Sequence, residues 1–148
     1  MLFLGLRRCD VIRIGKSNVA NSVLSIRTQK TGKMVHIPIF KSLQKCLDAV
    51  GKDGKTFLLT AHGKPFSSSG SFGNWFRDRC KEAGLPDKCR AHGLRKAGAT
   101  IAANAGASPH ELMAMYGWSK TDMAELYTRE VNAKKLAYKT AKMIADNV

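Results

Sequence analysis

Acidic residues are scarce in this sequence. Its 148 residues carry 11 Asp and Glu against 25 Lys and Arg, a formal net charge of +14. The few carboxylates are scattered, so a metal-dependent nuclease, which needs them clustered, is the function class with least support. Cys9, Cys46, Cys80 and Cys89 include no C-x-x-C pair. Their neighbours look like helix faces rather than metal knuckles, and they read as free buried thiols in a reducing compartment. No apolar run approaches the ~20 residues that span a bilayer. The start, MLFLGLRR, is too short and too quickly charged for a signal peptide. Internal repeats, low-complexity tracts and composition shifts are all missing. These absences describe a cytoplasmic chain folded as one domain, long enough to bury a real core.

What is present is positive charge. An excess of this size repels itself and attracts a polyanion, and nucleic acid is the commonest such partner inside cells. The plainer reading is a soluble protein with a solvated cationic surface. Apolar content is 44%, ordinary for a globular chain.

Periodicity supplies the architecture. Residues 2–12 read as a short helix leading into an extended stretch. Leu24 and Ile26 alternate with polar neighbours, as do Val35, Ile37 and Ile39, and QKTGK between them carries a glycine for the turn, so the segment predicts a β-hairpin. Leu43, Cys46, Leu47 and Val50 recur at helical spacing up to Gly51. TFLLT reads as a short strand or a buried extended segment, and PFSSSGSFG as a loop. Phe72, Trp75, Phe76, Cys80 and Ala83 form a helical stripe that stops at Gly84 and Pro86. A helix over His92 to about Ala105 ends at Gly106. Ser108, Pro109 and Glu111 make a capping box for a helix running to Gly117, and Ser119 with Asp122 repeats the pattern for a short helix carrying Leu126 and Tyr127. From Asn132, the residues Leu136, Thr140, Met143 and Ile144 describe one face of a last helix, with Lys134, Lys135, Lys139 and Lys142 on the other. The fold class is α+β, mainly α-helical with a small antiparallel sheet.

Six residues stand out as candidates for chemistry. Arg7 lies in GLRRCD, Lys30 at the hairpin turn, His92 and Arg95 in an H-x-x-R pair, Trp118 after Gly117, and Tyr127 within AELYTR. H-x-x-R places both heads on one side of a helix. A guanidinium offers a planar fork to two phosphate oxygens, and an imidazole can move a proton. Each residue also has an ordinary explanation: a surface pair for His92 and Arg95, solvated charge for Arg7 and Lys30, packing for Trp118, and a core-edge aromatic for Tyr127.

Taken in order and with their flanks, the six resemble the catalytic domain of the tyrosine recombinases, the phage-integrase family. The resemblance runs along essentially the whole chain. GLRRCDVIRI is similar to the family's first arginine box, with Arg7 at the catalytic position and Asp10 as its acidic, structural neighbour. IRTQKTGKMVHIPI resembles the family hairpin, whose turn lysine would be Lys30, with Lys33 close by. AHGLRKAGAT matches the second box, giving His92 and Arg95. ELMAMYGWSKTDMAELYTR resembles the stretch in which a Leu-Gly-His element precedes the nucleophile, here with Trp118 at the His/Trp position and Tyr127 as the nucleophile.

The resemblance implies double-stranded DNA as partner and a phosphodiester as substrate. It implies that Arg7 and Arg95 clamp the non-bridging oxygens. Tyr127 would attack phosphorus to give a 3′-phosphotyrosyl link. Lys30 would protonate the leaving oxygen, His92 would assist proton transfer, and Trp118 would donate a hydrogen bond through its indole nitrogen. The covalent link conserves the bond's free energy, so the resemblance implies no cofactor, neither ATP nor metal. It also implies other recombinase subunits on DNA, a tetramer in the synaptic complex, and no membrane. The last helix would pack either onto a neighbouring subunit or back on its own core.

The proteins resembled are longer and carry an N-terminal core-binding domain, often with an arm-binding module. Residues 1–148 are accordingly expected to be a single catalytic domain, shortened at its N-terminus, from a prophage or mobile element, with weak and salt-sensitive DNA affinity. A type IB topoisomerase-like enzyme shares the same chemistry, and a catalytically silent DNA-binding remnant of a shortened integrase is the competing non-enzymatic reading.

Overall fold

In the computed structural model, strand alternation builds the sheet as expected. The model describes residues 1–50, 55–129 and 133–148. Strands β1 (Val19–Ala20), β2 (Val23–Arg27) and β3 (Met34–Pro38) form an antiparallel sheet in the order β1-β2-β3. Leu24 pairs with Ile37 and Ile26 with Val35, so the four buried side chains share one face. The β2–β3 turn closes through the Thr28 N–H donating to the Lys33 carbonyl at 2.8 Å and the Gly32 N–H donating to the Thr28 carbonyl at 2.9 Å. Strand β1 adds an edge that alternation over two residues could not reveal.

Seven helices surround this sheet among the described residues: α1 (Arg8–Val11), α2 (Lys41–Asp48), α3 (Ser69–Glu82), α4 (Ala91–Asn104), α5 (Pro109–Tyr116), α6 (Asp122–Thr128) and α7 (Ala133–Ala145). The chain is thus α+β and mainly helical. Helix α1 is shorter than the expected span of residues 2–12. Gly5 takes a left-handed φ of 58° and Arg7 is extended, so helical geometry cannot start before Arg8. Helix α3 begins inside the stretch read as a loop: Ser68 and Ser71 cap each other's backbone, which a run of serine and glycine concealed. Leu59 makes one isolated bridge to Pro65, so TFLLT forms no strand of the sheet; it opens in a bend at Thr56 and Phe57 and is half-buried rather than buried. The helix stop expected at Gly51 and the start expected at Asn132 lie outside the described residues, as do the side chains of Lys134 and Lys135.

Two apolar clusters form the core. The first joins Leu6, Ile14, the inward sheet residues, Leu43, Phe72 and Ala91. The second joins Ala99, Ala103, Leu112, Tyr116, Trp118 and Ala124 from α4, α5, the loop after it and α6. Helix α4 spans both with a buried stripe at four-residue spacing, Ala91, Arg95, Ala99 and Ala103. Alanine keeps its neighbours close, and the one long side chain of the stripe is charged. Gly98 lies beside the stripe. A Cβ there would stand 2.7 Å from the Leu2 carbonyl and 2.8 Å from the Tyr116 hydroxyl, so only glycine allows this approach.

Several expected details differ. Of the four thiols, all free, only Cys80 is buried, and Cys46 is exposed. Ser119 does not cap α6; Thr121 occupies that position without a side-chain bond. On α7, Tyr138, Met143 and Ile144 are exposed, while Lys139 is tied back, its ammonium donating to the Gly106 carbonyl at 3.2 Å. The capping box of α5 is present in full: the Glu111 N–H donates to Ser108 Oγ at 3.2 Å and the Ser108 N–H to Glu111 Oε2 at 2.6 Å. Replacing Ser108 by alanine is therefore expected to cost roughly 1 kcal/mol and to lower Tm by about 4 °C. Thermal unfolding followed by circular dichroism checks this, and an unchanged Tm would show that the cap contributes nothing.

Candidate active site

The site grows from Arg95. Its guanidinium is held among apolar residues at 4% exposure. One nitrogen donates to the Gly5 carbonyl and the other to the Tyr116 carbonyl, the latter at 2.8 Å. Its carbon sits 5.0 Å from the Tyr116 ring centre and 5.7 Å from that of Trp118. Burial, reinforced by the charge of Arg7, pushes the pKa of Arg95 down to about 10. The group stays protonated at neutral pH, but its charge is poorly compensated.

Arg7 adds to that imbalance. It stands just before α1, half-buried, with its Nη1 buried and without a hydrogen-bond partner. Two guanidinium groups therefore face one region, with no carboxylate paired to either among the described residues. Asp10 serves a different purpose. It is fully buried, accepts the Gln29 N–H at 2.8 Å and pairs with Arg13 at 3.3 Å, so it fastens the first arginine segment to the β2–β3 turn. Asp10 offsets part of the Arg95 charge through space without pairing with it, and a cationic pair left so poorly compensated suits a tetrahedral anion.

The other candidates divide into those the fold brings to this pair and one it does not. His92 lies on the exposed side of α4, one turn before Arg95. Its pKa is lowered by burial and by the charges of Lys96, Arg95, Arg8 and Arg7, which keeps the imidazole neutral at pH 7. Trp118 is buried and sandwiched. Its ring stacks on Tyr116 at 4.9 Å and on Tyr127 at 5.6 Å, the latter with planes only 7° apart. Tyr127 itself is half-buried on α6, and its phenol is among the groups whose charge Arg95 feels. Arg7, His92, Arg95, Trp118 and Tyr127 thus gather in one place. Lys30 stands apart on the exposed turn, with no hydrogen bond or ion pair among the described residues.

Sequence reasoning passed over Tyr116. An aromatic inside ELMAMYGW reads as core, and it is core. It also forms the floor of the site, with a buried hydroxyl that has no partner and a pKa raised by that burial. Lys33 was seen only as a neighbour of Lys30, yet its ammonium donates to the Trp118 carbonyl at 3.0 Å. The signal for Tyr116 was Gly98, since a glycine inside a helix marks a close approach.

Comparison with known proteins identifies the family. Residues 1–134 match the phage integrase family. The integrase of Mycobacterium phage L5 is 29% identical over 130 residues, which is 83% of this chain and 35% of that protein. A lambda integrase dimer bound to a COC′ core site superposes with a TM-score of 0.70 at 25% identity, covering 86% of this chain and 39% of that one. The Tn1549 transposon integrase, solved with a circular intermediate DNA, shares the fold with a TM-score of 0.72 at 18% identity, over 95% of this chain and 55% of that one. The fold is that of the tyrosine-recombinase catalytic domains. The chain belongs to the phage integrase family, and it spans between about a third and just over half of the length of these three relatives.

The poorly compensated arginines carry a measurable consequence. With its folded pKa lowered to about 10, below that of the free guanidinium, Arg95 binds its proton less tightly in the fold, so its charge destabilises the fold below pH 10, and that cost fades as pH rises through and beyond 10. Removing the second cation relieves part of it. Arg7→Gln is expected to leave Tm unchanged or slightly raised, and to abolish the extra stabilisation that sulfate gives the wild type over chloride at equal ionic strength. Differential scanning fluorimetry checks both. A Tm drop equivalent to more than about 2 kcal/mol would show that Arg7 is a structural residue instead.

Proposed function

We propose that residues 1–148 are the catalytic domain of a site-specific DNA recombinase acting in the cytoplasm, an integrase of a prophage or other mobile element. The observation that carries this reading is the stack of Trp118 on Tyr127 with the Arg95 guanidinium 5.7 Å from the Trp118 ring centre, where the charge of Arg7 is also felt. It holds a phenol next to a site built for a phosphate.

In the proposed reaction the scissile phosphate takes the place of the missing counter-anion. Arg7 and Arg95 bind its non-bridging oxygens and stabilise the charge that builds on them in the transition state. The Tyr127 oxygen attacks phosphorus and gives up its proton, which neutral His92 helps to remove. The phosphorus–O5′ bond breaks, the electron pair leaves with O5′, and Lys30 supplies the proton that oxygen needs. The products are a 3′-phosphotyrosyl link and a free 5′-hydroxyl. Attack by another 5′-hydroxyl reverses the step on a new strand. Trp118 presents its indole N–H to the phosphate while its ring holds Tyr127 in place.

Double-stranded DNA is the proposed partner, together with further subunits on the same DNA, four in the synaptic complex. The net charge of +14 supports the first. The exposed Tyr138, Met143 and Ile144 on α7 support the second.

A covalent-adduct assay tests the reading. Incubated with nicked or supercoiled DNA in EDTA and denatured in SDS, the wild type is expected to yield DNA-linked protein. Tyr127→Phe is expected to yield none while binding DNA unchanged. Arg95→Lys is expected to slow adduct formation by roughly 10²-fold, because a point charge cannot replace the fork. An adduct formed by Tyr127→Phe would overturn the assignment of the nucleophile. Salt-sensitive binding without any adduct would leave a DNA-binding remnant.

A further inference from the structure

The β2–β3 turn is fastened at two points, and Lys30 lies between them. On one side the Gln29 N–H donates to Asp10, three residues after Arg7. On the other, the Thr31 hydroxyl donates to the Gly117 carbonyl at 2.9 Å and the Lys33 ammonium donates to the Trp118 carbonyl at 3.0 Å. The Thr31 hydroxyl has a single proton, which goes to Gly117, and its oxygen lies 2.7 Å from the hydroxyl of buried Thr28. These bonds join residues 85 and 86 positions apart and reach two consecutive carbonyls of the loop that carries Trp118. A turn lysine with no structural duty would extend into solvent. Lys33, though an exposed residue, turns its ammonium back onto the Trp118 carbonyl, whereas Lys30, three residues earlier, makes no hydrogen bond or ion pair among the described residues.

We propose that Thr31 and Lys33 are positioning residues. They latch the β2–β3 turn to the Gly117–Trp118 loop, so that the Lys30 ammonium is delivered to the leaving oxygen in step with Tyr127, which Trp118 holds by stacking. The proposal rests on the breaking-and-rejoining reading above, and it separates the two turn lysines by duty: Lys30 gives the proton and Lys33 sets its place.

Replacing the 5′-bridging oxygen of the scissile phosphate by sulfur provides the test. The phosphorus–sulfur bond then breaks with the electron pair leaving as a thiolate, which needs no proton at neutral pH, so a general acid becomes dispensable. Cleavage of ordinary and sulfur-substituted nicked DNA is compared for the wild type, Lys30→Met, Thr31→Val, Lys33→Met, and Thr31→Val with Lys33→Met together. On ordinary DNA the double variant is expected to slow by about 10² or more, approaching Lys30→Met. On the sulfur substrate both are expected to regain most of the wild-type rate, and each single variant to show the same recovery on a smaller scale. Lys33→Arg and Thr31→Ser, which keep a donor, are expected to retain the rate on ordinary DNA. Variants equally slow on both substrates would overturn the proposal, since their defect would lie at Tyr127 or in the fold. Variants equally fast on both would show that the latch has no function. A wild type that forms no adduct even with the sulfur substrate would defeat the breaking-and-rejoining reading itself, and the latch with it.

Discussion

A charged side chain buried in an alanine stripe is the constraint around which this molecule is arranged. Arg95 occupies the position on α4 where a hydrophobic residue would join the two apolar clusters. Its desolvation is offset in part by two backbone carbonyls from distant parts of the chain, those of Gly5 and Tyr116, and by two aromatic faces. Each partner constrains its own neighbourhood. The Gly5 carbonyl fixes the segment that presents Arg7. The Tyr116 carbonyl lies at the end of α5, where Gly117 turns left-handed and releases the chain towards Trp118. The remainder of the offset is left open, and an incoming phosphate can supply it.

Aromatic stacking carries the same order outward. Tyr116, Trp118 and Tyr127 form a ladder that starts over the guanidinium and ends at a half-buried phenol. The ladder restrains Tyr127 without using its hydroxyl, which is the arrangement the proposed role of nucleophile requires. Tyr116 has the same functional group but sits at 1% exposure against Gly98, with no room for a phosphodiester. Position, rather than residue type, separates the two tyrosines.

Legibility in the sequence followed the range of the interaction. The hairpin was readable because Leu24, Ile26, Val35 and Ile37 alternate locally, and the α5 cap because Ser108 and Glu111 are three residues apart. The α1 boundary was not, because it depends on a left-handed Gly5 whose Cβ would come within 3.0 Å of the Tyr116 ring. The six candidate residues were singled out through resemblance to a family and through the chemistry of their side chains, and the fold brings five of them together. Composition alone would have made Arg95 a surface charge. Thr31 and Lys33 were out of reach, since their partners lie more than eighty residues away and are backbone atoms, which leave no mark in side-chain patterns. The face of α7 was legible as apolar, yet nothing in its spacing could say that Met143 and Ile144 would stand exposed.

The central claim, that the aromatic ladder delivers Tyr127 and no other residue to phosphorus, is tested most directly by mapping the linkage itself. DNA-linked protein would be purified in denaturant, trimmed with nuclease and digested with trypsin, and the nucleotide-bearing peptide sequenced by mass spectrometry. The modification is predicted on Tyr127 alone. Its appearance on Tyr116, Tyr138 or a serine would contradict the account.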